Sequence, residues 1–299
     1  MTVKLADSPV AERDQQETLL NRRSFLRGAG LVAAGMALYS GEIARHEISI
    51  PALTIPIRNL PPAFQGFRIV QLSDIHYDEY TEPYFVRRVI DHVNALAPDL
   101  VLLTGDYISF APLPVSFARG AMVRCAAALA RIACPLRLAV MGNHDSFLGA
   151  PYIRPILDAV DIPLLVNRHV AIERAGQRLW IAGIHDPVTH TPDLDAAIPA
   201  SPDGPVLLMS HGPDYADTVL AHPRGPLVDL MLAGHSHGGQ IRLPFVGALH
   251  TPVGGQKYVE GLFHLGGMQL YVNRGIGTVG LPLRLNCPPE ITLFTLQQA

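Results

Sequence analysis

Apolar positions in this chain come in short runs, separated by stretches where they recur at helical spacing. Residues 67–73, 100–104, 136–140, 206–210 and 227–233 are such runs, as expected of strands buried in a sheet core. Between the first two, Phe85, Val86, Val89, Ile90, Val93 and Leu96 keep helical spacing. A helix is predicted there, with Thr81 as its cap, Pro83 in its first turn and Pro98 as its stop. An Ala-rich stretch at 115–133, closed by Cys134-Pro135, predicts a second helix. From 161 to 184 the pattern turns strand-like, at 164–166, 169–172 and 179–184. Residues 186–205, rich in Pro and Asp, read as loop and short helix, and the tail adds strands at 269–273 and 290–294. Strands alternating with helices predict an α/β layered fold in one domain, since no repeat or internal linker divides it.

The apolar runs lead into polar clusters: Asp74-Ile75-His76, Gly105-Asp106, Gly142-Asn143-His144-Asp145, His211 and Gly234-His235-Ser236-His237. In α/β folds, sites gather beyond the carboxyl ends of the strands. Taken singly, Asp74 or Asp106 reads as a helix cap, His76 or His211 as a satisfied turn residue, and the glycines as turn glycines. Taken together, the clusters offer oxygen and nitrogen donors suited to Mn, Fe or Zn, without the cysteines of a structural zinc site. One metal cannot use so many donors. Two adjacent metals, about 3.5–4 Å apart and sharing one carboxylate, could.

Bulk properties narrow the partners. A hydrophobic content of 48% with 16% charged residues suits a packed core, and 299 residues suffice for one large α/β domain. The formal net charge of -3 gives no basic footprint, so nucleic acid is not expected. Cys125, Cys134 and Cys287 form no metal-binding spacing and no disulfide framework. Within one predicted helix, Cys125 and Cys134 would stand about 13 Å apart, too far to bridge. At the start, Arg22-Arg23-Ser24-Phe25-Leu26-Arg27 precedes an apolar run at 28–40 that is short for a bilayer span but of signal-peptide length. The paired arginines resemble a twin-arginine export signal. Residues 1–45 are therefore expected to be that signal or an N-terminal anchor, residues 46–66 a Pro-rich lead-in, and residues 67–299 the domain. The protein is expected in the periplasm or cell envelope.

The ordered series Asp74-x-His76, Gly105-Asp106, Gly142-Asn143-His144-Asp145, His211 and Gly234-His235-x-His237 resembles the calcineurin-like metallophosphoesterase family over residues 67–296. Gly238-Gly239-Gln240, Asn273-Arg274-Gly275 and Cys287-Pro288-Pro289-Glu290 resemble its exported, twin-arginine subgroup. The resemblance implies a four-layer α/β/β/α sandwich with mixed sheets. It implies one metal held by Asp74, His76, Asp106 and His237, and a second held by Asp106, Asn143, His211 and His235. A hydroxide between the metals would attack phosphorus in line. His144 would serve the leaving oxygen, with Asp145 fixing its tautomer and orientation.

The implied activity is metal-dependent hydrolysis of phosphodiesters or related phosphate esters. A lipid-linked diester or nucleotide-sugar pyrophosphate stands beside a soluble diester, a monoester or a phosphoprotein as substrate. Outside the enzyme class, an envelope metal-binding protein with incidental phosphatase activity is the alternative; the intact His144 argues against it. Arg242, Lys257 and Arg274 read as solvated surface before phosphate contacts, and His185 and His250 as weaker neighbours of the site. The apolar loops at 243–255 and 275–285 read as packing, with a lipid tail or membrane as the other reading.

Overall fold

The computed structural model describes residues 22–78, 80–110 and 114–299. It divides into residues 1–38 and a unit of residues 39–299. In the first, Arg22–Leu38 is helix α1, and residues 1–21 of the expected signal lie outside the described residues. No helix among the described residues is long and apolar enough to cross a membrane.

Two sheets form the body. The first runs β1 (Ala52–Ile57), β13 (Thr292–Gln298), β2 (Arg68–Leu72), β3 (Leu100–Leu103) and β4 (Arg137–Ala139). Only the β13/β2 pairing is antiparallel. The second runs β11 (Gly261–Leu265), β12 (Met268–Val272), β8 (Val228–Ala233), β7 (Val206–Met209), β6 (Gln177–Gly183) and β5 (Arg168–Arg174). Here the outer pairs are antiparallel and the inner strands parallel.

Three hydrophobic clusters separate four layers. Ile69, Leu102, Leu138 and Phe294 of the first sheet meet Ile181, Leu207, Leu230 and Tyr271 of the second. Val70, Val101 and Ala139 face outward against α2 (Pro83–Leu96), α3 (Val115–Leu129) and α5 (Ala150–Asp158). On the far side Leu208, Met231 and Leu270 pack against the short helices α6 (Leu194–Ala197) and α7 (Ala216–Ala221). Central strands buried on both faces explain the unbroken apolar runs. Residues 39–299 therefore form a single α/β/β/α sandwich with mixed sheets.

Several elements differ from expectation. Residues 46–66, expected as a lead-in, contribute β1, the edge strand that pairs with β13. The last strand runs six residues on from Thr292, because β1 and β2 hold it from both sides. Thr81 does not cap α2: Glu82 occupies that position and the Thr81 amide donates to Asp78. Helix α3 stops at Leu129, so Cys134 lies beyond it; all three cysteines are buried and free. The strand expected at 164–166 is reduced to one bridge from Leu164 to Ala139.

Candidate metal centre

Every cluster follows the carboxyl end of a strand: Asp74 and His76 after β2, Asp106 after β3, Asn143 after the edge strand β4, His211 after β7, and His235 and His237 after β8. Asp74, His76, Asp106, His235 and His237 all have positive φ, between 45° and 68°. For such residues this backbone costs roughly 1–3 kcal/mol each and persists only when the surroundings impose it. Here they do. The amides of Asp74 and His76 donate to the Gly105 and Asp106 carbonyls at 2.9 and 3.0 Å, and the His235 amide donates to the Asp74 carboxylate at 3.0 Å. Packing is tight enough that a Cβ on Gly142 would strike Asp106 Oδ1, and one on Gly234 would strike Ser73 Oγ and Asp74 Oδ2.

The side chains converge into donor groups whose ligand atoms lie within 4.8 Å of one another: Asp74, His76 and His237; His76, Asp106 and His144; Asp106, His211 and His235. The Nε2 atoms of His76 and His237 stand 3.1 Å apart, a separation that a shared proton or a cation relieves. His237 Nε2 is 3.3 Å from Asp74 Oδ1. Asp106 Oδ2 is 3.5 Å from His76 Nε2 and 3.2 Å from His211 Nε2. Asn143 Oδ1 lies 3.2 Å from the same His211 nitrogen. All seven expected ligands are thus brought together.

Outer partners choose which ring nitrogen faces inward. His211 Nδ1 donates to the Thr104 carbonyl at 2.8 Å, leaving Nε2 for the centre. His235 is turned the other way: Nε2 donates to the Val253 carbonyl at 2.9 Å, so Nδ1 is its ligand atom. His76 Nδ1 is 3.1 Å from Ser109 Oγ. Such partners fix tautomer and ring plane for metal ligands.

The charge balance fits cations. Burial pushes Asp74 up to about 6, and lowers His76 to about 3 and His235 to about 4, so both imidazoles are neutral and their lone pairs available. His211 is the exception. Burial opposes its charge, yet the Asp106 and Asp74 carboxylates hold its pKa well above the ordinary value, and the same carboxylates would stabilise a cation. Carboxylates, imidazoles and an amide oxygen without thiolate form a donor set for Mn, Fe or Zn.

Asp145 does not orient His144. Its carboxylate, fully buried, accepts from the amides of Asp106 at 2.6 Å, Tyr107 at 2.9 Å and Gly142 at 2.9 Å. It therefore clamps the loop after β3 to the loop after β4, and its lone pairs are spent on backbone. The role expected of it falls to the Phe110 amide, which donates to His144 Nδ1 at 2.8 Å. In neutral His144 the proton then lies on Nε2. The His144 amide in turn donates to Asp106 Oδ1 at 2.9 Å.

Arg284 escaped sequence reasoning. It is fully buried and donates to the carbonyls of Arg274, Gly275, Gly277 and Cys287, with its Nη2 3.5 Å from His237 Nδ1. The only signal was a charge within the apolar stretch Leu281-Pro282-Leu283-Arg284-Leu285.

A cavity of about 370 Å³ opens over the centre. Its floor includes Asp106, Asn143, His144, His235 and His237; Ile241, Leu249, Pro252, Val279 and Leu281 form an apolar wall. His250 lines it too, whereas the His185 ring lies tilted against that of His190, with centroids 3.8 Å apart. Arg242 pairs with Glu260 at 3.0 Å, Lys257 with Asp217 at 2.8 Å and Arg274 with Glu290 at 2.5 Å, so none of the three brings an uncompensated charge. The loop apolar residues are not all packed: Phe245, Val246, Leu249 and Leu281 are exposed, while Ile276 is buried.

The sequence profile described as Calcineurin-like phosphoesterase matches residues 67–239. Over 289 residues the chain is 34% identical to the uncharacterized metallophosphoesterase YkuE of Bacillus subtilis, covering 93% of this chain and 98% of that one. It is 33% identical to the phosphodiesterase YaeI of Escherichia coli, covering 93% and 100%. Among solved structures it is similar to the NAD nucleotidase NadN of Haemophilus influenzae, with a TM-score of 0.47 and 15% identity over 71% of this chain and 45% of that chain.

Proposed function

Because this chain belongs to the calcineurin-like phosphoesterase family and is a metallophosphoesterase, we propose that it hydrolyses phosphodiesters with two divalent cations sharing Asp106. The observation that carries this reading is the position of Asp106, the one carboxylate in two of the donor groups, with His76 on one side and His211 on the other. Asp74, His76 and His237 complete one set, and Asn143, His211 and His235 the other. When bound, the cations supply Lewis acidity toward phosphoryl oxygens and acidify water near neutral pH. The rest belongs to the chain. Positive-φ backbone aims the carboxylates and imidazoles inward, and His144, with Nδ1 occupied by the Phe110 amide, presents Nε2–H to the leaving oxygen.

Two features favour a diester carrying an apolar group over a monoester or phosphoprotein. A monoester dianion calls for added cationic side chains, and Arg242, Lys257 and Arg274 are each matched by a carboxylate. The wall of Ile241, Leu249, Pro252, Val279 and Leu281 suits a lipid-linked or otherwise apolar ester arm. Purified wild-type protein, analysed for Mn, Fe and Zn, should hold two cations per chain and cleave a chromogenic diester faster than the matching monoester. A single cation per chain would refute the shared-carboxylate reading. A preference for monoesters would make it a phosphomonoesterase, and two cations with no turnover a binding protein. For the lipid arm, a vesicle-presented diester should turn over faster than a soluble one.

The protein is also proposed to be exported by the twin-arginine route. Support comes from Arg22-Arg23-Ser24-Phe25-Leu26-Arg27 and the helix Arg22–Leu38, which has no acidic residue in its first turn. Replacing Arg22 and Arg23 together by lysine should strand the protein in the cytoplasm, read by fractionation; export unimpaired in that variant would remove the assignment.

A further inference from the structure

The residues around the cavity mouth carry an unusual surface. Strands β9 (Arg242–Leu243) and β10 (Gly247–Ala248) form a small hairpin whose tip is Pro244-Phe245-Val246. Phe245 is fully exposed and Val246 is 68% exposed; nearby Leu249, Val253 and Leu281 are exposed as well. Leu249 and Leu281 also line the cavity, so the apolar rim continues directly into the apolar wall. Burying a phenylalanine side chain is worth roughly 1.5–3 kcal/mol, yet the hairpin holds Phe245 out in solvent.

The hairpin is not loosely attached. The Arg242 amide donates to the Leu285 carbonyl at 2.9 Å, and the Leu285 amide to the Gln240 carbonyl at 3.1 Å. Gln240 Nε2 donates to the Leu281 carbonyl at 3.0 Å. The tip and the Leu281 loop therefore form one platform. The same platform receives the start of the body, because the Arg284 amide donates to the Ser40 carbonyl at 3.1 Å.

We propose that this platform is a bilayer-docking surface, with Phe245 and Val246 inserting among lipid headgroups so that the cavity mouth opens at the membrane. Leu249 and Leu281 belong both to the exposed rim and to the cavity wall, so an apolar ester arm held in a bilayer could pass straight into the cavity; this continuity, which rests on the diester reading above, argues for lipid as the occupant rather than a second protein. Large apolar side chains clustered on an otherwise polar surface mark such contacts. The attraction is apolar, since Arg242 and Lys257 already pair with Glu260 and Asp217. The proposal stands independently of how many cations the centre holds.

The test uses the full chain with Val246→Cys labelled by an environment-sensitive dye, the native cysteines being buried. A label at Glu173→Cys, exposed on β5, is the control. With phosphatidylcholine–phosphatidylethanolamine vesicles, the label at position 246 should shift to the blue and the control should not. The double variant F245S/V246S should lower vesicle partitioning at least tenfold while hydrolysing a soluble diester at the wild-type rate. No shift at position 246, even if vesicles are bound through the N-terminal run, overturns the proposal. So does a shift that needs only high protein concentration, which would make the face a contact between copies. A shift confined to anionic vesicles and abolished by salt overturns it in favour of electrostatic adsorption.

Discussion

Asp106→Asn should release both cations and lower kcat/KM by roughly 10³–10⁴-fold, the equivalent of several kcal/mol of lost charge stabilisation. The geometry makes this substitution discriminating. Oδ1 of Asp106 already accepts the His144 amide at 2.9 Å, and the asparagine carbonyl can keep that bond. Its amide NH₂ would then replace Oδ2, placing donors 3.2 Å from His211 Nε2 and 3.5 Å from His76 Nε2, where cations need an oxygen. The loop remains clamped, because the Asp145 carboxylate still holds the amides at positions 106, 107 and 142. Folding should therefore survive while metal content falls from two per chain toward zero. Asp74→Asn is the comparison: Asp74 belongs to one donor group and so should weaken one cation more than the other. If Asp106→Asn kept both cations at wild-type occupancy, the carboxylate would not be shared.

The central strands were legible because strands buried on both faces leave unbroken apolar runs, and β2, β3, β7 and β8 all do so. The ligand types were legible for a related reason. A buried acid or imidazole at a strand end is costly unless paired, so a chain that places five clusters there signals what pairs them. Edges were harder to read. Strand β1 reads as a lead-in in the sequence because its partner, β13, lies at the other end of the chain, and local pattern carries no information about that pairing. Asp145 shows the same limit at the site. Adjacent to His144 in sequence, it invites a dyad, yet a single helical turn, α4 (Asn143–Ser146), carries its carboxylate toward amides that lie 38 and 39 residues earlier. Only the tertiary path of the loop after β3 shows that the partner of His144 is a backbone amide at position 110. Arg284 was missed because its partners are mainly backbone carbonyls, which have no sequence signature.

His144→Ala should separate catalysis from metal binding. None of the proposed cation positions depends on this ring: its Nδ1 is occupied by the Phe110 amide, and the amide of residue 144 that supports Asp106 is retained in alanine. Both cations should remain, by elemental analysis, while kcat falls about 10²–10⁴-fold, the usual contribution of a positioned general acid. The size of the loss should depend on the leaving group. A p-nitrophenolate departs without protonation, so the variant should lose little on a p-nitrophenyl diester and far more on an alkyl diester, whose alkoxide needs the Nε2 proton. A ring that only shaped the cavity would slow both substrates alike, and a ring that held a cation would lower metal content as well. The leaving-group split with two cations retained is the result that assigns His144 to proton transfer.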